Sequence, residues 1–269
     1  MTAGETSTGG GTTAGGAGAG GGGGTATATP VLSAREISKR YGAVQALDGV
    51  SLDLAEGEVV ALVGDNGAGK STLVKAISGV ISPDTGGLAF DGRPVRIARP
   101  HDAQAMGIST VYQDLALCEN LDVVANLFLG SERNRWGLLR PLRMERATRD
   151  LLASLDVRIR DIHAPVAALS GGQRQSVAIT RALIGEPRVV LLDEPTAALG
   201  VEQTAQVLDL IRRLRDRGLA VMVISHNLAD VRAVSDRIVV LRLGRNAGDF
   251  RTADTSQEAV VAAITGARA

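Results

Sequence analysis

The chain has 269 residues, and its 29 Lys plus Arg are balanced by 29 Asp plus Glu. No overall field therefore draws it to nucleic acid or to anionic lipid, and partner choice falls to local surface. One cysteine, Cys118, excludes an internal disulfide and a cysteine-built zinc cage, and fits a reducing cytoplasm.

Residues 1–29 are mostly Gly, Thr and Ala, with a GGGG run at 21–24. Such a stretch buries too little surface to offset its ordering entropy, so a disordered tail is expected there, with the folded part over 30–269. The tail has no apolar run, so it does not read as an export signal. No segment approaches the ~18 consecutive apolar residues of a membrane helix.

In chain order, residues 31–55 and 86–98 read as short strands with turn residues, which predicts an antiparallel sheet laid on the first part of the core. From Val59 onward, short β-branched runs alternate with amphipathic segments. EVVALVG precedes STLVKAISGV; ISTVYQ precedes a mixed region; RVVLLDEP precedes VEQTAQVLDLIRRLRDRG; LAVMVIS precedes HNLADVRAVSD. That alternation predicts an α/β fold with a mainly parallel sheet and crossover helices. Residues 120–168 are charged and helical in pattern, MERATRDLLASLDV being the clearest amphipathic helix. An inserted helical subdomain over about residues 114–180 is expected.

Gly64–Ser71 reads GDNGAGKS between a strand and a helix, the context a phosphate-binding loop requires. Gly64, Gly67 and Gly69, with Asp65, Asn66 and Ala68 between them, let backbone N–H groups converge on phosphate oxygens. Lys70 reaches the β and γ phosphates, and Ser71, followed by Thr72, offers a hydroxyl to Mg²⁺ at a helix N-terminus. The loop alone indicates a nucleotide and does not separate a GTPase, a kinase and a motor. VVLLDE then places two carboxylates at the C-terminal end of a buried strand. Asp193 is positioned to hold Mg²⁺ through water, and Glu194 to act as general base on the attacking water. Taken alone, DEP after a strand also suits a helix cap.

LSGGQ, with Ser170, Gly171, Gly172 and Gln173, opens another helix. Bare, it is an N-cap followed by flexible glycines. Between the phosphate loop and VVLLDEP, it resembles the signature motif of ABC ATPases. The resemblance implies a P-loop NTPase core with an antiparallel β subdomain and a helical signature subdomain, using ATP and Mg²⁺. It also implies two copies facing head to tail, so that Ser170 and Gly172 serve the partner's nucleotide. Three single residues extend the match. Tyr41, in KRYGAVQAL ahead of the first sheet, matches the aromatic that stacks on adenine. Gln113, closing the strand ISTVYQ, matches the glutamine that contacts Mg²⁺ and the water. His226, after LAVMVIS, matches the switch histidine on the γ-phosphate. One departure is TAALG, which has Gly200 where the family's D-loop carries aspartate.

The texture of VGDNGAGKSTLVKAISGV and LSGGQRQSVAITRAL is closest to the ATPases of monosaccharide importers of the ribose, xylose and fructose kind. That branch implies a peripheral subunit on the cytoplasmic side of the membrane, working as a homodimer with a sugar permease and, indirectly, a sugar-binding protein. Leu115, Leu117 and Leu121 are candidates for an exposed apolar groove that receives the permease, with local core as the other reading. The alternatives are an exporter or another importer ATPase, and a soluble ABC ATPase acting on DNA or ribosomes. The last usually needs coiled coils, zinc modules or tandem cassettes, and the chain reads as a single cassette with none of these.

Overall fold

A computed structural model describes residues 30–132, 134–135 and 138–267. The expected tail over 1–29 lies outside the described residues.

The order of elements is β1 (Leu32–Tyr41), β2 (Val44–Leu54), β3 (Val59–Val63), α1 (Lys70–Ile77), β4 (Thr85–Phe90), β5 (Arg93–Val95), α2 (Pro100–Ala105) and β6 (Ile108–Val111). There follow α3 (Val123–Phe128), β7 (Asn134–Arg135), β8 (Leu138–Leu139), α4 (Pro141–Ser154), α5 (Gly171–Ala182), β9 (Val189–Asp193) and α6 (Val201–Asp216). The chain closes with β10 (Ala220–Ile224), α7 (Leu228–Val234), β11 (Arg237–Arg242), β12 (Arg245–Arg251) and α8 (Gln257–Thr265).

The central sheet has the order β12-β11-β3-β10-β9-β6. All its pairings are parallel except β11 with β12. Its inner strands are covered on both faces, which is why VVALV of β3 and AVMVI of β10 are buried at every position. A second, antiparallel sheet, β2-β1-β4-β5, packs its apolar residues Leu32, Ile37, Leu47 and Leu54 into one cluster with Leu73 and Ile77 of α1. Both sheets meet the sequence expectation. β7 and β8 form a small antiparallel ribbon within the stretch expected to be helical.

Helices α3, α4 and the middle of α5 share a cluster of their own, including Val123, Leu127, Phe128, Met144, Leu152 and Val177. Helix α4 starts at Pro141, three residues before the expected MERATRDLL pattern, because proline is well placed in a first helical turn. Leu115 and Leu117 are not the exposed residues that one reading of the sequence made them. Both are partly buried against the core, and Leu121 is half-buried. The reason is Arg181 of α5, whose guanidinium donates to the carbonyls of Leu115 and Ala116, 2.7 Å each, and folds that loop onto the helix. The residue left exposed nearby is Leu129, just past α3.

Candidate nucleotide site

Strand β3 runs into the loop 64–69, and α1 begins at Lys70, so the phosphate loop joins a rigid strand to a helix N-terminus. Two glycines are required by contact as well as by backbone angle. A Cβ on Gly64 (φ 152°) would lie 2.2 Å from the Leu241 carbonyl oxygen, and one on Gly69 (φ 105°) 2.6 Å from that of Ala46. The Lys70 ammonium donates to the carbonyls of Gly64 (2.7 Å) and Asp65 (3.0 Å), which holds it over the loop.

Asp193 ends β9 and Glu194 is the first residue beyond it, with φ 50° in the left-handed region. The turn is held by the Glu194 N–H donating to the Ile224 carbonyl at the end of β10, 2.9 Å. A non-glycine residue in that conformation costs on the order of 1–3 kcal/mol and persists only where neighbours impose it, as is common at functional sites. The Glu194 carboxylate, 16% exposed, lies 2.8 Å from Nδ1 of His226, whose ring is 74% exposed. Glu194 is thus shielded while the imidazole stands open to solvent. Burial first, and the neighbouring Glu194 second, push the Asp193 carboxyl above its usual range, while Lys70 pulls it back.

These groups meet in one cleft of about 730 Å³. The loop from Gly64 to Thr72, with Asp65, Asn66, Gly67, Ala68, Gly69, Lys70 and Ser71, lines it together with Gln113, Asp193, Glu194, His226 and Tyr41. Two placements differ from the sequence reading. Tyr41 closes β1 within the antiparallel sheet instead of preceding it, with the Lys39 ammonium 5.9 Å from its ring centroid. Gln113 lies two residues past β6, which ends at Val111, and is exposed. Val44, Gln45 and Ala46 also line the cleft and went unnoticed in the sequence. They come from the strand after Tyr41, and nothing local marks them as neighbours of the loop.

The cleft excludes the LSGGQ segment. Ser170 caps α5: its hydroxyl accepts from the Gln173 N–H (3.2 Å), and Gln173 Oε1 accepts from the Ser170 N–H (3.0 Å). Gly172 lets α5 approach α6, since a Cβ there would sit 2.9 Å from that of Gln203. Ser170 and Gln173 line a different cleft of about 620 Å³, with Arg158, Glu202 and Arg213. Within one chain, then, the phosphate loop and the LSGGQ segment line separate clefts.

Residues 47–197 match the ABC transporter family. The chain is 46% identical over 235 residues to the xylose/arabinose import ATP-binding protein of Sulfolobus acidocaldarius, covering 87% of this chain and 94% of that one. It is 45% identical over 247 residues to the fructose import ATP-binding protein of Rhizobium meliloti, covering 89% and 95%. The ribose import ATP-binding protein of Burkholderia mallei is 46% identical over 239 residues, but this chain spans only 47% of its length. Among solved structures, the ADP conformation of an ATP-binding cassette superposes with a TM-score of 0.77 at 26% identity, covering 89% of this chain and 96% of that one. A dimeric bacterial cassette does so with 0.70 at 27%, covering 82% and 98%. The chain belongs to the ABC transporter family, as one of its ATP-binding, ATP-hydrolysing cassettes.

Proposed function

We propose that two copies of this chain bind Mg·ATP between them and use its hydrolysis to drive a monosaccharide through a membrane permease, from the cytoplasmic face. The observation that carries the reading is the separation of the half-sites: the phosphate loop with Asp193, Glu194, Gln113 and His226 in one cleft, and Ser170 in another. A helix N-terminus suits the γ-phosphate, and a second copy can supply that of α5.

Tyr41, with Val44 beside it, presents a stacking face for adenine; the loop amides and Lys70 hold the phosphates. The donor set fits Mg²⁺, a hard cation that takes oxygen ligands: the Ser71 hydroxyl, the Gln113 amide oxygen and the Asp193 carboxylate all border the cleft. Among the described residues no hydrogen bond or ion pair neutralises Asp193, and Lys70 and Lys75 offset its burial only in part, so a cation there meets a carboxylate still short of positive charge. Bound, Mg²⁺ supplies charge neutralisation on the β and γ phosphates. Glu194 takes the proton of the attacking water, and His226, anchored through Nδ1, leaves Nε2 for the γ-phosphate.

Sugar import rests on the relatives named above, which are import ATP-binding proteins for xylose and arabinose, fructose and ribose. Among the described residues no helix is long and apolar enough to cross a membrane, in keeping with a subunit that works on a separate permease. A groove of about 520 Å³ beside the Gln113 loop, bordered by Val111, Leu127, Leu129 and Arg181, is where that permease is proposed to dock.

Mg-ATPase activity of the chain, alone and with its permease and sugar-loaded binding protein in lipid, tests the reading beside Glu194→Gln. Turnover that the permease stimulates, together with a variant that binds ATP but hydrolyses it at least about 100-fold more slowly, is the expected result. ATP binding without turnover under any of these conditions would overturn it.

A further inference from the structure

The segment that carries Glu194 must cross from β9 to α6 through two non-glycine residues in the left-handed region, Glu194 (φ 50°) and Ala198 (φ 58°). Its own hydrogen bonds are local: the Ala197 N–H donates to the Glu194 carbonyl (3.1 Å) and the Leu199 N–H to that of Thr196 (3.3 Å). Local bonds of this kind shape the turn without fixing where it stands. Beyond Glu194 itself, the bond that leaves the segment is made by the Thr196 hydroxyl, which donates to Asp230 Oδ2 at 2.7 Å.

Asp230 stands in the first turn of α7, whose N-cap, Asn227, directly follows His226. The two bonds Glu194–His226 and Thr196–Asp230 therefore join the same two segments a few residues apart. One bond alone permits rotation about it. Two, offset along the chain, fix both the distance and the angle between the carboxylate and the imidazole. Both Thr196 and Asp230 are half-buried, and a hydrogen bond to an ionised acceptor sheltered from water is stronger than a neutral surface one.

We infer that Thr196 and Asp230 are positioning residues for ATP hydrolysis, setting Glu194 against His226 through a side-chain clasp between the segment after β9 and α7. The inference rests on Glu194 being the base, and extends that reading to two residues that do not line the cleft. Here Gly200 lacks any side chain to tether the end of the same segment, and a Cβ built on it meets nothing within 4 Å. Among the described residues, the clasp at Thr196 is then the side-chain hydrogen bond that restrains the segment beyond Glu194, in addition to the packing of Pro195 and Leu199.

The test compares Thr196→Val, Thr196→Ser, Asp230→Ala and the Val/Ala double variant, with Glu194→Gln as control, at protein concentrations where the wild type turns over. Valine keeps the shape of threonine and removes only the donor; serine keeps the donor. Asp230→Ala also removes a negative charge from the start of a helix, so the threonine pair isolates the clasp from that effect. The expected result is kcat lowered about tenfold in Thr196→Val and Asp230→Ala with the KM for ATP unchanged, the double variant no worse than either single, and near-complete rescue in Thr196→Ser. A melting temperature is recorded for each variant, because a purely structural role would move stability without splitting kcat from KM. Single variants within twofold of wild type while Glu194→Gln is inactive, additive losses in the double variant, or a serine variant as slow as the valine one would overturn the inference. Full turnover in Glu194→Gln would instead remove the base assignment on which it stands.

Discussion

At the scale of single residues, the half-buried carboxylate pair Asp193 and Glu194 sets stability against function. Burial and the adjacent Glu194 raise the Asp193 pKa, so the folded chain disfavours its ionised form. For a carboxyl raised in this way, the stability it contributes is present at low pH and is lost as pH rises through the folded-state value. At neutral pH the nucleotide-free fold therefore carries a carboxylate whose burial and repulsion from Glu194 are only partly offset by Lys70 and Lys75, and Asp193→Asn should raise its melting temperature. That gain should vanish on acidification to about pH 3, where aspartate is protonated in both states. Melts of both proteins across this range check the sign; the same variant should lose Mg²⁺-dependent hydrolysis. A variant less stable at neutral pH would show that Lys70 already outweighs burial.

At the scale of elements, α6 starts poorly. Its N-cap is Gly200, in an extended conformation any residue can adopt (φ −72°, ψ 167°), and the cap is served only by Gln203 Oε1 accepting from the Gly200 N–H at 3.4 Å. Gly200→Asp adds a side-chain acceptor and a favourable charge at the helix N-terminus, together about 0.5–1 kcal/mol. A rise of about 1–4 °C in melting temperature is expected for a chain of this size. The same scale explains what could be read from the sequence. β3, β9 and β10 were legible because strands covered on both faces are continuous apolar runs, and the start of α5 was legible because Ser170 and Gln173 have the spacing of a reciprocal cap. The end of β6 was not. Val111 pairs with Leu192, and two positions further the chain has left β9 and turned at Glu194, so Gln113 finds no ladder to join. That turn is a tertiary fact with no local signal. The sequence leaves the exposure of Leu115 and Leu117 open for a similar reason, because Arg181, some 65 residues away, decides it. β11, β12 and the ribbon of β7 and β8 were not separately foreseen, the last because two-residue strands carry no periodicity.

At the scale of the whole molecule, Arg188 at the mouth of β9 bonds both Glu56 and Asp91, and its guanidinium lies 5.3 Å from the centre of the Phe90 ring. This ties the central sheet to the antiparallel one. Because the groups are partly exposed, the tie is worth modest energy. The placement of LSGGQ has the larger consequence. If each ATP is enclosed by the loop of one copy and α5 of the other, damage to the two half-sites is separable and can be sorted between molecules. Lys70→Ala ruins the first half and Ser170→Arg the second, and each variant alone should be inactive. Mixed in equal amounts, half of the randomly paired dimers hold one variant of each kind, and each of those has one whole site assembled from its two undamaged halves. Such a mixture of two dead proteins should recover up to about a quarter of the wild-type rate if the sites act independently, whereas halves that worked within one chain would recover none.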